Sequence, residues 1–277
     1  SAALELPFNE QYWLELIIES GTPLSRVPLS SVPYALNVKN HAENSWSLEG
    51  NSGTNVTENF VGTLDSVDLN FRTNDELKAK ITTKGQIEIY NTSQSILLGE
   101  RAGENMTPGY MPSNNVFIGN RAGEDITTGY YNVGIGIEAL KSAKWSSNNV
   151  AVGYHSLFNV KSGMDNSALG TFSLYRNKVG SRNIAIGKQA LFENDSGDYN
   201  IAIGNAALYW SKSSSKNSAI GYKALFNNSG DMNVAIGHFA LYRNNEADEN
   251  TAVGSYALYR NNGKKRFGGS WIWSITQ

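Results

Sequence analysis

The chain has 277 residues, a net charge of −2, 27 glycines, six prolines and no cysteine. The absence of cysteine excludes disulfides, zinc–thiolate centres and a thiol nucleophile, and the scattered, near-neutral charge excludes the basic footprint of a nucleic-acid binder. No apolar run reaches the length that spans a bilayer, so no direct membrane insertion is expected.

Residues 1–40 read as strands and turns closing an N-terminal domain. Residues 11–18 (QYWLELII) are rich in aromatic and β-branched types, which suit a pleated surface. Pro28 and Pro33 remove ladder donors further on, as at a sheet edge or in an extended linker. Residues 41–94 form a β-rich neck or shaft connector. Val67, Leu69 and Phe71 alternate with polar residues, which predicts a half-buried strand. Residues 80–90 read as a hairpin or two short strands around Gly85.

Residues 95–262 repeat one phrase. It reads NIAIGNAALY from Asn200, with further copies from Asn149, Asn166, Asn183, Asn217, Asn233 and Asn250. The glycine in the phrase falls at 136, 153, 170, 187, 204, 221, 237 and 254, a step of 17 residues except for one of 16. Gly99 and Gly119 extend this ladder in looser form. So short a fixed period predicts a parallel β-roll or β-solenoid of about ten coils, an all-β fold with ~4.8 Å between coils. Ile201 and Ile203 alternate with Ala202 and Gly204, so the strand has one large and one small face. The expectation is that Ile201, Ile203 and Leu208 fill the coil. The small face, carrying Ala151, Ala168, Ala185, Ala202, Ala219, Ala235 and Ala252, is then left for another chain. Residues 207–209 read as a second short strand. Phe158, Tyr175, Phe192, Tyr209, Phe226, Tyr242 and Tyr259 are expected to stack as an aromatic row. The leading asparagines, Asn149, Asn166, Asn183, Asn200, Asn217, Asn233 and Asn250, suit turns and can bond one another along the rod. Residues 263–277 break the period and read as a C-terminal cap or an inter-subunit strand.

The phrase N-x-A-I-G-x-x-A-L resembles the head repeats of trimeric autotransporter adhesins, whose related forms occur in phage tail fibres. The resemblance implies a left-handed parallel β-roll, a homotrimer or longer filament, and an extracellular or cell-surface location. It also implies a fibrous, non-enzymatic role, with no particular ligand. Residues 1–4 lack the basic and apolar regions of a leader peptide, which fits a trimmed, exported chain.

No catalytic, cofactor-binding or metal-binding residue is expected. His41, His155 and His238 occupy unrelated positions, and no phosphate loop or calcium motif is present. The carboxylates, among them Glu124, Asp125, Glu193 and Asp195, fall in turns and read as solvated charge. A phage or injection-machine tail fibre that binds a receptor is the alternative that shares this physics. A β-solenoid polysaccharide-active enzyme is the rival from another class. It would need charged side chains from several coils to converge in one groove, which the free variation of exposed positions speaks against. Trp145, Trp210, Tyr110, Tyr130, Tyr131 and Tyr199 lie in outer turns. They suit either a host-surface or glycan ligand or cover for the neighbouring coil.

Overall fold

The computed structural model describes residues 61–261, apart from 92 and 108–112, together with one strand pair near the N-terminus. The expectations for residues 263–277, for His41, for Tyr110 and for most of residues 1–60 lie outside the described residues. The chain divides into two units, Ser1–Ser66 and Val67–Gln277. In the first, β1 (Trp13–Leu14) pairs antiparallel with β2 (Val27–Pro28). No α-helix forms among the described residues, so none is long and apolar enough to cross a membrane.

In the second unit, β3 (Leu69–Thr73), β4 (Glu76–Ile81) and β5 (Ile87–Ile89) make an antiparallel meander. Gly85, at φ +78°, closes the β4–β5 turn, and its N–H donates to the Thr82 carbonyl at 2.8 Å. The alternation at Val67, Leu69 and Phe71 does not produce the expected half-buried strand. Leu69 is partly buried, but Val67 and Phe71 are exposed, because no second layer covers this sheet among the described residues.

The repeats build a parallel β-solenoid. Ten three-residue strands stack in chain order: β6 (Ile96–Leu98), β7 (Val116–Ile118), β8 (Val133–Ile135), β9 (Val150–Val152), β10 (Ser167–Leu169), β11 (Ile184–Ile186), β12 (Ile201–Ile203), β13 (Ser218–Ile220), β15 (Val234–Ile236) and β17 (Thr251–Val253). Equivalent residues pair directly, so Ala168 lies beside Ala185, Ala185 beside Ala202 and Ala202 beside Ala219. Nine coil rises of ~4.8 Å make this sheet about 43 Å long. The 16-residue coil keeps the register, with Ala219 beside Ala235. A second, shorter ladder joins β14 (Asn227–Asn228), β16 (Arg243–Asn244) and β18 (Arg260–Asn261).

The second strand expected at residues 207–209 is not formed. Ala206 and Leu208 both have left-handed backbone, at φ +54° and +50°. Left-handed residues alternate here with residues of negative φ, so the chain turns while still bonding its neighbours. Ala206 N–H donates to the Lys188 carbonyl one coil back, and Leu208 N–H to the Ala224 carbonyl one coil on. Left-handed backbone costs a bulky residue about 1–2 kcal/mol, and burying a leucine side chain returns about 1.5–3 kcal/mol. Burial wins, and the leucines from Leu140 to Leu241 are fully buried in one column.

Between the strand centre and the left-handed turn, each coil admits one large apolar group. From the fourth coil on, alanine sits at the strand centre and leucine on the left-handed turn. In the first two coils the sizes are exchanged: Leu97 and Phe117 occupy the strand centre, and Gly103 and Gly123 take the turn. A Cβ on Gly123 would lie 2.5 Å from the Phe117 ring, and one on Gly103 would lie 2.8 Å from Leu97. Native packing density leaves no room for both.

Candidate functional site

The solenoid stacks equivalent repeat positions in columns, and its surfaces follow those columns. The leading asparagines are fully buried and form a continuous ladder. Asn200 Oδ1 accepts the backbone N–H of Asn217 at 3.0 Å and its Nδ2 at 3.2 Å, while Asn200 Nδ2 donates to the Ser214 carbonyl at 2.8 Å. The backbone N–H to Oδ1 bond recurs from Asn115 through Asn132, Asn149, Asn166 and Asn183, and onward through Asn233 to Asn250. A second ladder runs through Asn177 and Asn194, and again through Asn228, Asn244 and Asn261. Sequence reasoning missed it, although asparagine recurs seven residues after the repeat glycine.

The alanine face is not available to a second chain. Ala151, Ala168, Ala185, Ala202, Ala219, Ala235 and Ala252 are fully buried inside their own coil. The glycines that follow are crowded within the chain too, for a Cβ on Gly204 would lie 2.4 Å from the Gly221 carbonyl oxygen. The face assignment is therefore reversed: Ile201 and Ile203 point outward and remain partly exposed. The physical reason is volume. Each coil already holds a leucine and an asparagine, and only alanine fits opposite them.

The outward face is consequently apolar in one unbroken row, from Leu98 to Val253, while the row beside it is Val or Ile except at Ser167, Ser218 and Thr251. Ile96, Leu98, Ile118, Ile135, Leu169, Ile184, Ile186, Ile220 and Ile236 are each more than a third exposed. Alternation along each strand revealed two unlike faces. It could not say which one the coil encloses.

On the turn flank, Phe158, Tyr175, Phe192, Tyr209, Phe226, Tyr242 and Tyr259 stack with ring centroids 4.9 to 5.3 Å apart. Towards the N-terminus the same column changes from aromatic to charged, through Lys141 and Glu124. Lys141 Nζ lies 5.3 Å from the Phe158 ring centroid, which joins the two regimes. Glu124 is not solvated. Its side chain is 2% exposed and pairs with Arg101 at 2.5 Å and Arg121 at 2.6 Å. Burial alone would raise its pKa, but the Arg121 hydrogen bond and the charges of Arg101, Arg121 and Lys141 outweigh it, so the carboxyl is held below its ordinary range. His155 Nε2 meets Glu138 at 2.9 Å, and the imidazole stacks on Tyr154. Burial lowers its pKa, against the opposing pull of Glu138.

Charged side chains do converge on one flank, contrary to expectation. Arg176, Lys178, Glu193, Asp195 and Lys212, from three coils, line a hollow of about 340 Å3. Within it Glu193 pairs with Arg176 at 3.1 Å and Asp195 with Lys178 at 3.1 Å. Among the described residues, no group of three or more histidine or acidic side chains could hold a metal ion. Of the outer-turn aromatics, Trp145, Trp210, Tyr130, Tyr131 and Tyr199 are all exposed.

These columns define a parallel β-solenoid repeat protein. Comparison with family models, curated proteins and solved structures finds no match.

Proposed function

We propose that this chain is a non-catalytic structural segment of an extracellular fibre or surface adhesin. It assembles as a homotrimer through the Val/Ile face of its parallel sheet. One observation carries the reading: an outward row of aliphatic side chains, from Leu98 to Val253, runs unbroken along the ten stacked strands, beside a second outward row of Val and Ile interrupted by Ser167, Ser218 and Thr251, and neither row holds a charged residue. At about 43 Å by ~10 Å the stripe covers about 400 Å2, within the size range of the largest, often functional, patch on a typical monomer. A partner that matches a row repeating every ~4.8 Å over ten coils must have the same repeat, and a second copy of this chain does. The number three, the cell-surface setting and the adhesin role rest on the repeat's resemblance to adhesin heads. The ion pairing of both carboxylates in the charged hollow favours this reading over a polysaccharide-active enzyme.

The test is mass in solution. The wild-type chain is expected to sediment as a trimer at low micromolar concentration, and the double variant Ile186→Asp/Ile203→Asp as a folded monomer. A wild-type monomer, or a double variant that keeps the wild-type mass, overturns the proposal.

A further inference from the structure

We infer that the flank around Trp210 is a binding subsite for an acidic saccharide. Trp210 is the only aromatic residue at its position in the repeat. Equivalent positions carry Asn159, Arg176, Glu193 and Asn227. Its indole is 43% exposed and meets Tyr209 edge-on at 5.0 Å, so no described ring stacks in parallel on it. The ring borders a hollow of about 500 Å3, lined also by Lys212, Ser213, Asn227, Asn228 and Ser229.

Two features of the chain open this hollow. Asn177 and Asn194 are followed in their ladder by the smaller Ser211, which bonds Ser214 instead of continuing the amide row. The next coil is the one of 16 residues, so its turn past Asn228 is one residue shorter. Asn228 itself is committed inward, to the Ser214 hydroxyl and the Gly230 carbonyl. Ser229 Oγ accepts the Glu246 N–H. The remaining polar groups are unspent. Among the described residues, the Lys212 ammonium makes no ion pair, and the Asn227 amide, the Ser213 hydroxyl and the Trp210 indole N–H make no side-chain hydrogen bond.

An aromatic face beside uncommitted amide, hydroxyl and ammonium groups matches the chemistry of a pyranose ring. The ring's C–H face packs on the indole, and its hydroxyls take the donors. The charge selects an acid. Lys212 also lines the neighbouring hollow, where Arg176 and Lys178 are matched by Glu193 and Asp195. That leaves Lys212 as the cation without a carboxylate, and a uronate or similar carboxylate supplies one. The two hollows follow one another along successive coils, so the ligand is an oligosaccharide lying along the rod. This subsite does not depend on the trimer, because Trp210 lies on the turn flank rather than on a strand.

The experiment is a binding screen of the intact protein, in its native assembly, against printed acidic and neutral oligosaccharides. It is followed by calorimetry with the trimers of galacturonic acid and of galactose as a matched pair. The acidic compounds are expected to bind in preference to their neutral counterparts. Trp210→Ala is expected to weaken binding about tenfold or more, Trp210→Phe to retain most of it, and Trp145→Ala to leave it unchanged. Lys212→Gln is expected to remove the preference for the acid. Circular dichroism and oligomer mass are recorded for each variant, so that loss of fold or assembly is read separately from loss of binding. Absence of binding across the panel, binding of neutral sugars alone, or acidic binding that survives Trp210→Ala in a folded protein overturns the assignment.

Discussion

Replacing Asn200 by alanine tests the ladder that holds neighbouring coils together. In the intact chain Asn200 makes three side-chain hydrogen bonds, all buried. Its loss leaves the Asn217 N–H without an acceptor and removes a donor from the Ser214 carbonyl. Asn217 Nδ2 keeps a bond to the Ser215 carbonyl at 3.1 Å, so it is not orphaned. An orphaned buried group costs about 1–3 kcal/mol, so one amide and one carbonyl give a loss of about 3 kcal/mol. Asn250 supplies the internal control. Among the described residues its Oδ1 has no partner, and Asn233 Oδ1 would still be held by the Asn250 backbone N–H at 2.9 Å. Asn250→Ala therefore removes one bond and no needed acceptor, at a cost of about 1 kcal/mol or less. Equilibrium urea unfolding at one fixed protein concentration, followed by tryptophan fluorescence, compares the two midpoints. Equal shifts for the two variants, or a loss under about 1 kcal/mol for Asn200→Ala, would refute the ladder as a source of stability.

Two further predictions concern the backbone and the buried carboxylate. Gly204→Ala is expected to abolish cooperative folding or shift its midpoint drastically, because the new Cβ would meet backbone at 2.4 Å with φ +134°. Gly85→Ala, at φ +78° with open space, is expected to cost only about 1–2 kcal/mol of backbone strain. Thermal melts of both variants separate the cases, and equal losses would contradict the close approach of coils. Glu124 has a folded pKa below its ordinary value of 4.5, so its stabilising contribution is present above that value and lost as pH falls through the folded pKa. Glu124→Gln is expected to be less stable at neutral pH and to show a flatter acid limb below pH 4.5. Parallel acid limbs in the two proteins would rule out this role.

Much of the coil was legible because its constraints are local and repeated. Asparagine and glycine at fixed spacing marked the turns, and the aromatic row was readable once the 17-residue step was counted. The buried state of Glu124 was not legible, since Arg101 and Arg121 reach it from two different coils. The size exchange between Phe117 with Gly123 and Ala151 with Leu157 was present in the letters. It acquires meaning only when both positions are seen to share one interior volume.

The sequence by itself determined the period, the parallel stacking and the in-register columns, because a repeat of 17 residues returns like residues to like positions. Only the tertiary structure decided which face of each strand the coil encloses. Alternation distinguishes Ile201 from Ala202 equally well in either orientation, and the choice is made across the coil. Leu208 and Asn200 take the available space, Ala202 fits what is left, and Ile201 and Ile203 are turned outward.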